Sequence, residues 1–495
     1  MQDSQDMQQR RAQLDLSWTH VDDHFIDGRW QASIGTDRIE IVDPAIGEVW
    51  GSVPAAAQED IDAAVDAAHR AFADRSWSGL PASQRAEVMR RAADLLEERW
   101  EQLAWTNTRE NGSPISETSG AAANAAGIFR YFAGLAEWID EPELRPFPNG
   151  RGESLVHKDP IGVCALIAPW NFPINLVVAK LAPALMAGCT VVIKPASPTP
   201  LSIRFVVQAL ADAGVPAGTV NLITGPGRMG DALVRHPLVH KVAFTGSTPV
   251  GRRIAAACGE QLKPVTLELG GKSSAIVLED ADLDVLGERL IRSCLRNTGQ
   301  TCYIATRILA PRSRYDEIVE LVARTIEQAP QDDPLEEQTQ FGPMANEPQH
   351  RTVLGYLKTA RSEGARVVVG GQGLEREGYW IAPTVLADVT PEMTVAKEEI
   401  FGPVLTVLAY DDLDEAVEIA NSTDFGLGGI VFSADEHKAL EVARRVDTGS
   451  IGLNFFASNH AAPFGGRRDS GLGVEFGKEG LSAYLTYQTV HRPAR

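Results

Sequence analysis

Cysteine is scarce in this chain of 495 residues, and no two cysteines stand close together in the sequence. The five are Cys164, Cys189, Cys258, Cys294 and Cys302. An odd number of cysteines without a CxxC pair argues against a disulfide framework and against a zinc site. We therefore predict reduced thiols, a cytoplasmic location and no metal. Taken singly, each cysteine is most simply a small buried hydrophobic residue.

Basic residues and long apolar runs are also in short supply. The chain has 46 Lys and Arg against 66 Asp and Glu, which gives a formal net charge of -20. This balance argues against nucleic acid and anionic membrane surfaces as partners. No apolar run reaches the roughly 18 residues of a membrane span, and the N-terminus MQDSQDMQQRRAQ lacks the apolar core of a signal peptide. An anionic cofactor stays open, because backbone N–H groups bind phosphate on acidic proteins too.

The length predicts more than one packed domain. From residue 161 onward, apolar runs of strand length alternate with helical patterns: IGVCALIAP, TVVIKP, VNLIT, KVAFT and VTLEL. About five strands alternating with helices predict a parallel, doubly wound sheet of Rossmann type. After Gly271 a second α/β segment begins, with strand-like SAIVL, RILAP, ARVVVG and PVLTVLAY.

Two segments lie outside this alternation. Residues 142–152 contain three prolines and two glycines, and the tail LSAYLTYQTVH alternates like an exposed edge strand. We therefore predict an α/β protein with a Rossmann-type cofactor domain, a second α/β catalytic domain and a small β oligomerisation arm. The predicted boundaries are 1–140 with 160–271 for the cofactor domain, 272–468 for the catalytic domain, and 141–159 with 469–495 for the arm.

Two glycine-rich turns are candidates for phosphate binding. Gly225-Pro-Gly227-Arg-Met-Gly230 matches GxGxxG between a strand and a helix. However, it follows about the third strand, lacks an acidic partner some 20 residues on, and loses one N–H donor to Pro226. Two interpretations stay open: phosphate contact through Gly227, or a tight strand-to-helix turn.

The second turn, Phe244 to Gly251, also runs from a strand into a helix. Gly246 allows close backbone approach, Ser247 offers a hydroxyl and Pro249 suits the first turn of a helix. The helix N-terminus then presents free N–H groups to an anion. Arg252 and Arg253 stand where a P-loop has Lys-Ser/Thr, which argues against ATP.

Three side chains together could perform nucleophilic chemistry on a carbonyl carbon. Cys302 follows Gly-Gln-Thr before a strand, at a plausible exposed position for a nucleophilic thiolate. Asn171 follows a buried strand and could donate to an oxyanion. Glu268 ends another strand and could act as a general base if burial raises its pKa. Singly, Asn171 is equally well explained as a turn former and Glu268 as a surface carboxylate.

Six segments in order give the chain a specific resemblance. They are Pro169-Trp170-Asn171-Phe172-Pro173, Lys194-Pro195-Ala196, Glu268-Leu269-Gly270-Gly271-Lys272, Gly299-Gln300-Thr301-Cys302, Glu399-Ile400-Phe401-Gly402-Pro403 and Pro463-Phe464-Gly465-Gly466. With these segments the chain resembles the aldehyde dehydrogenase superfamily over nearly its whole length. The resemblance implies a nicotinamide-dependent enzyme that converts an aldehyde to a carboxylic acid.

The resemblance also implies roles for individual residues. Cys302 attacks the aldehyde, Asn171 and the Cys302 backbone N–H hold the oxyanion, and Glu268 activates the water that hydrolyses the thioester. Relatives that transfer the acyl group to coenzyme A typically lack this glutamate, so its presence favours a free acid. Lys180 and Glu475 match positions that assist proton transfer in some members, although both are equally explained as solvated charges.

The cofactor positions follow in the same way, with Lys194 at the adenine ribose and Glu399 at the nicotinamide ribose. Ser197 stands where NAD-preferring members often carry Glu, which would repel a 2′-phosphate. We therefore predict NAD as the main cofactor with NADP tolerated. The implied cofactor contacts are Ile167, Pro169, Trp170, Lys194, Ser197, Gly227, Gly246, Ser247, Val250, Leu269, Glu399 and Phe401.

The implied substrate tunnel is uncharged. It consists of Leu176, Ala179, Thr301, Tyr303, Phe455 and Phe456, and Ala179 replaces a bulky aromatic residue of some relatives. It predicts medium-chain, terpenoid or aromatic aldehydes rather than betaine aldehyde or dicarboxylic semialdehydes. A thiol esterase using Cys302 and Glu268 and a non-catalytic structural relative are the alternatives. Members of the family are usually homodimers or homotetramers, so a homo-oligomer is expected.

Overall fold

The computed structural model describes residues 19–493. The polar N-terminus therefore lies outside the described residues, as do the first residues of the predicted cofactor domain and the last residues of the predicted arm. Its first sheet has eight strands, and five of them are the parallel strands predicted from the sequence. Two antiparallel strands extend one edge and a short one extends the other. In spatial order the strands are Arg29–Ala32, Asp23–Ile26, Val220–Leu222, Thr190–Lys194, Val163–Ile167, Lys241–Thr245, Val265–Glu268 and Gly471–Leu472.

The strand order reverses beside Val163–Ile167. From there the chain proceeds to Thr190–Lys194 on one side and later returns to Lys241–Thr245 on the other. These three strands are buried along their whole length, as expected for a parallel sheet covered on both faces. Such a reversal leaves a crevice at the carboxyl ends of the strands, where ligands bind in open α/β sheets.

Helices cover the first sheet. Pro173–Ala187 carries proline at its start and ends at Gly188, whose φ of 97° is a left-handed helix stop. Its apolar residues pack into the largest core cluster together with Phe129 and Phe205. The helices before the second sheet are Gln58–Ala73, Ala82–Glu98, Trp100–Asn111, Ile115–Thr118, Ala121–Ala133, Ala136–Asp140, Pro173–Ala187, Ser202–Asp212, Gly227–Arg235 and Thr248–Glu260.

The second sheet has seven strands and is parallel except at one edge. In spatial order the strands are Arg366–Val369, Thr384–Ala387, Val404–Tyr410, Arg307–Pro311, Ser274–Val277, Ile430–Phe432 and Gly452–Leu453. The accompanying helices are Leu283–Cys294, Tyr315–Gln328, Glu347–Ser362, Thr394–Lys397, Leu413–Asn421 and Glu436–Arg445, with a 3₁₀ turn at Arg312–Arg314.

A three-stranded antiparallel sheet, here called the arm sheet, stands apart from both. Its strands are Leu485–Pro493, Gly152–Pro160 and Glu143–Pro146, in that spatial order. The tail therefore pairs with a strand of the same chain and keeps its other edge unpaired within the described residues. Two antiparallel pairs complete the strands: Arg38–Asp43 with Glu48–Pro54, and Phe425–Gly426 with Arg467–Arg468.

The arm sheet is smaller than the predicted arm. Gly471–Leu472 hydrogen-bonds to the edge of the first sheet, and the helix Gly477–Ser482 buries Leu481 in the core of that sheet. Residues 469–484 thus pack with the predicted cofactor domain rather than with the arm sheet. The alternating tail pattern marked only the last strand.

Within residues 19–493, no helix combines the length and apolar character that crossing a membrane requires. The same part of the chain contains no group of three or more His, Cys, Asp and Glu side chains placed to hold a metal ion.

Candidate functional site

Cys302 lies in a tightly constrained loop between the helix Leu283–Cys294 and the strand Arg307–Pro311. Three successive residues before it have positive φ: Asn297 at 53°, Thr298 at 56° and Gly299 at 75°. Only glycine fits at Gly299, because a Cβ there would overlap the carbonyl oxygen of Gly402. Left-handed backbone at non-glycine residues is strained and clusters at functional sites.

Hydrogen bonds tie this loop to the segment that follows the strand Val163–Ile167. The Asn297 side chain donates to Asn171 O at 3.1 Å. Asn171 Nδ2 in turn donates to Gln300 O at 3.0 Å, two residues before the thiol. Asn171 is buried, and its Oδ1 has no hydrogen-bond partner among residues 19–493. The structure thus places a buried amide donor beside the cysteine loop.

Glu268 ends the strand Val265–Glu268 and is 3% exposed. Neither carboxyl oxygen has a hydrogen-bond partner in the described chain. Burial raises the pKa of Glu268 well above its ordinary value, and the nearby Glu475 adds to this rise while Lys180 opposes it. A buried carboxyl group without partners is costly for the fold and is typical of functional sites. The interpretation as a surface carboxylate does not hold.

Lys180 and Glu475 form a buried ion pair beside Glu268. Lys180 Nζ donates to Glu475 Oε1 at 2.6 Å and to Thr245 Oγ1 at 2.5 Å. The Lys180 side chain has no exposed surface and that of Glu475 is 6% exposed. Neither is therefore the solvated charge of the alternative interpretation, and the pair lies where it could exchange protons with Glu268.

The Cys302 thiol is half-buried, whereas the other four cysteines are fully buried. Burial raises the pKa of Cys302 above its ordinary value, and the carboxyl groups of Glu399 and Glu268 raise it further. The sequence suggested an exposed thiolate, but this environment favours the protonated thiol. Nucleophilic attack therefore requires a proton acceptor.

One cavity of about 360 Å³ joins Cys302, Asn171, Glu268 and Glu475. Four predicted substrate contacts also line it, namely Leu176, Thr301, Tyr303 and Phe456. Ala179 and Phe455 are not among its lining residues: Ala179 is buried in the core, and Phe455 is 57% exposed. These two residues therefore carry no part of the substrate proposal below.

The cavity also contains residues that the sequence did not indicate. Aromatic and aliphatic walls come from Ile128, Phe172, Phe464 and Phe476, and charged groups from Glu117, Arg292 and Arg296. The prediction of an uncharged wall is thus wrong for part of the cavity. Glu117 and Arg296 lie 179 residues apart in the chain, and no sequence spacing links them.

At the switch point, the turn after Lys241–Thr245 has the features of an anion site. Ser247 precedes the helix Thr248–Glu260, is exposed and makes no side-chain cap hydrogen bond, so the first N–H groups of the helix stay available. Gly246 and Val250 are half-buried beside it, and Leu269 packs against Gly251. This edge fits the phosphates of a dinucleotide.

The other glycine turn lies next to the predicted ribose contacts. Ser197 Oγ donates to Gly225 O at 3.1 Å, and Gly230 packs on the Lys194 side chain and on Ile167. Burial lowers the pKa of Lys194 to about 8. Gly227 is exposed at the start of the helix Gly227–Arg235. The turn therefore borders the same crevice, and both interpretations of Gly227 stay open.

Glu399 and Phe401 approach the cysteine loop from the second sheet. Glu399 Oε1 accepts a hydrogen bond from the Gly271 N–H at 3.0 Å, and Gly270 allows this approach because a Cβ would come within 2.6 Å of Glu399 Oε2. Burial raises the pKa of Glu399 to about 7. The rings of Phe401 and Trp170 meet edge to face at 5.4 Å, and Pro169 is half-buried beside Trp170.

The chain is similar to known proteins over nearly its whole length. The profile of the aldehyde dehydrogenase family matches residues 30–490. Geranial dehydrogenase from Castellaniella defragrans is 46% identical over 468 residues, covering 94% of this chain and 98% of that protein. Aminoaldehyde dehydrogenase 1 of Malus domestica is 38% identical over 475 residues, covering 94% of each chain.

Solved structures are similar over almost the whole chain. A mutant of Aldehyde Dehydrogenase C from Pseudomonas syringae, complexed with NAD+ and octanal, has a TM-score of 0.91 at 39% identity, covering 95% of this chain and 96% of that chain. An aldehyde dehydrogenase from Mycobacterium tuberculosis, complexed with NAD+, has a TM-score of 0.92 at 41% identity, covering 95% and 97%.

Proposed function

Because the chain belongs to the aldehyde dehydrogenase family, we propose that it oxidises an apolar aldehyde to the free carboxylic acid with NAD. The observation that carries this proposal is one cavity that holds a cysteine thiol, a buried amide donor and an unpartnered buried carboxyl group. The apolar aldehydes that we propose are medium-chain, terpenoid or aromatic. The chemistry follows from what each group can do at its position.

Cys302 Sγ is the nucleophile: its proton passes to a water molecule as the sulfur bonds to the carbonyl carbon of the aldehyde, and the carbonyl oxygen becomes an oxyanion. The oxyanion that forms needs donors fixed in place, and Asn171 Nδ2 and the Cys302 backbone N–H supply them. Asn171 Nδ2 donates one hydrogen to Gln300 O, and an amide NH₂ group has a second hydrogen to donate. Trp170, Glu399 and Phe401 would hold the nicotinamide, which when bound would supply the hydride acceptor.

Loss of hydride leaves a thioester on Cys302. Glu268 then promotes the hydrolysis of this thioester. As a carboxylate, Glu268 takes a proton from a water molecule, the oxygen bonds to the acyl carbon, and the thiolate leaves. The acyl group departs as the acid and the cysteine is restored. The proton on Glu268 then passes to the neighbouring buried ion pair of Lys180 and Glu475. We assign these two residues to proton transfer.

Two relatives support an apolar substrate. The protein from Castellaniella defragrans is named for geranial, a terpenoid aldehyde, and the Pseudomonas syringae structure contains octanal. In this chain, Leu176, Tyr303, Phe456 and Phe464 present apolar surface to the cavity. Burying such surface stabilises an alkyl or terpenoid chain by about 0.8 kcal/mol per CH₂.

An aldehyde panel tests the proposed activity. With NAD in excess, we expect octanal, geranial and benzaldehyde to form reduced cofactor with kcat/KM at least about tenfold above betaine aldehyde and succinic semialdehyde, because their chains bury apolar surface against the aromatic and aliphatic walls of the cavity. The measurement is the absorbance of the reduced nicotinamide. A higher kcat/KM for succinic semialdehyde than for octanal and benzaldehyde contradicts the substrate class, and no signal with any aldehyde contradicts the activity.

Cofactor choice depends on Ser197 in this proposal. A serine at this position brings no negative charge toward a 2′-phosphate, so we expect NADP to be used with kcat/KM within about a thousandfold of NAD. The variant Ser197→Glu should lower kcat/KM for NADP by at least about tenfold more than for NAD. A wild-type NADP efficiency below that range, or equal losses with both cofactors in the variant, excludes this role.

The arm sheet supports a homodimer or homotetramer as the assembled form. Its strand Leu485–Pro493 is largely exposed and leaves one edge unpaired in the described chain. An exposed strand edge of this length is usually covered by another chain. We also assign the enzyme to the cytoplasm, since five free cysteines fit a reducing compartment.

A further inference from the structure

A second cavity of about 410 Å³ lies beside the one that contains Cys302, and the two share a wall. The residues that line both are Ser116, Glu117, Arg292 and Arg296. The second cavity does not include Cys302 or Glu268. The residues that separate the two cavities therefore determine how far an aldehyde chain extends from the thiol.

Glu117 and Arg296 form the centre of that wall. Arg296 Nε donates to Glu117 Oε2 at 2.8 Å, and Nη2 lies 2.8 Å from the same oxygen. Arg296 Nη1 donates to the Tyr303 hydroxyl at 2.7 Å. The planar guanidinium thus bridges a carboxylate on one side and a phenol on the other, a geometry that lysine does not reproduce.

Aromatic contacts fix this bridge from the cavity side. The guanidinium carbon lies 5.2 Å from the centre of the Phe172 ring. Tyr303 stacks on Phe456 at 5.0 Å and meets Phe464 edge to face at 6.2 Å. The side chains of Arg296 and Glu117 are only 27% and 25% exposed. The bridge is therefore an ordered part of the wall rather than a mobile surface pair.

We propose that the Glu117–Arg296–Tyr303 bridge is the length-selecting wall of the substrate cavity, and that Arg296 is the specificity-determining residue in it. This inference rests on the proposed function, because it takes the Cys302 cavity as the aldehyde site. With the bridge closed, an alkyl chain that outgrows the first cavity meets a charged pair. With the bridge removed, the chain continues into the second cavity, where Ile291, Ala329 and Pro330 offer apolar surface to its methylene groups.

The test compares hexanal with decanal in two variants that open the wall from opposite sides, Arg296→Ala and Glu117→Ala. Each additional buried CH₂ favours binding by about fourfold. We expect the ratio of kcat/KM for decanal to that for hexanal to rise at least about tenfold in both variants, through a lower KM for decanal. Tyr303→Phe, which removes only the hydroxyl, should give a smaller rise. Arg289→Ala removes an exposed charge from the preceding helix Leu283–Cys294, outside both cavities, and should leave the ratio unchanged.

The outcomes separate the two proposals. If the wild-type enzyme oxidises neither aldehyde, the proposed function fails. If it oxidises hexanal and the ratio in both opened variants stays within about twofold of wild type, the length-selecting wall is excluded. Should Arg296→Ala fail to fold, because Glu117 and Tyr303 lose their shared partner, Glu117→Ala decides the question from the other side of the bridge.

Discussion

Replacement of Cys302 by alanine is expected to lower aldehyde-dependent formation of reduced nicotinamide by at least about 10⁴-fold, since the variant has no nucleophile in the cavity. The other four cysteines are fully buried and do not line the cavity, so none can substitute. The hydrogen bonds that shape the loop use Asn171, Asn297 and Gln300 rather than the sulfur. The variant should therefore fold and still bind cofactor and aldehyde.

The matched control is Cys258→Ala. Cys258 is a buried cysteine in the helix Thr248–Glu260, outside the cavity, and its truncation removes a similar volume without touching the site. We expect it to keep kcat within about threefold of wild type. Rates and binding of the reduced cofactor are measured for both variants, the latter by fluorescence. Persistent turnover in Cys302→Ala, with the cofactor bound normally, contradicts covalent catalysis by this thiol.

The sequence predicted the parallel sheet well because burial on both faces produces continuous apolar runs. The runs at 163–167, 190–194 and 241–245 are strands in the structure, in the predicted parallel arrangement. The position of Asn171 and Glu268 at strand ends followed from the same pattern. Their proximity to Cys302 did not, because it depends on how the second sheet packs against the first.

The walls of the cavity were harder to predict. Asn124 and Ile128 come from the alanine-rich helix Ala121–Ala133, whose pattern gave no sign of a site. Arg296 resembled any solvated arginine at the end of a helix, because its partners Glu117 and Tyr303 are brought to it only by the tertiary fold. Ala179 failed as a substrate contact for a related reason: on a helix that is buried nearly all round, sequence position does not identify the face that borders a cavity.

The state of Cys302 shows the same dependence on tertiary structure. Its sequence neighbours gave no measure of the two carboxyl groups, Glu268 and Glu399, that raise its pKa. Both belong to other strands and loops. The raised pKa of the thiol therefore follows from groups that only the tertiary fold brings to it.

Glu268→Gln is expected to separate the two halves of the reaction. Hydride loss from Cys302-bound substrate does not need Glu268 as a water-activating base, whereas thioester hydrolysis does. Mixing the variant with NAD and octanal should give a burst of up to one reduced cofactor per active site, followed by steady turnover at least about 100-fold slower than wild type. Rapid-mixing absorbance measures both phases. Slow, burst-free kinetics would instead assign Glu268 to the deprotonation of Cys302.

A second buried carboxyl group provides the control. Burial raises the pKa of Glu110 to about 7, but its oxygens accept hydrogen bonds from the Leu201 and Ser202 N–H groups, away from the cavity. Glu110→Gln weakens one of these bonds and should lower thermal stability. It should show no burst and no block in turnover. A burst in this variant would mean that any loss of a buried carboxyl group slows hydrolysis indirectly.

The pH dependence of the hydrolysis rate and of folding stability tests the assignment of Glu268 independently. Because the folded-state pKa of Glu268 is raised, its base form is absent at low pH and appears as pH rises through that value, so wild-type hydrolysis should accelerate in that direction. Folding stability moves the opposite way: the protonated carboxyl group is tolerated in the buried site, and stability is lost as pH rises and the group ionises. Glutamine does not ionise. The Tm of Glu268→Gln should therefore exceed the Tm of wild type by a margin that grows with pH, while the steady rate of the variant stays low. A variant that is slow and also increasingly less stable than wild type at alkaline pH would be damaged in its fold, and its kinetics would say nothing about the water-activating base.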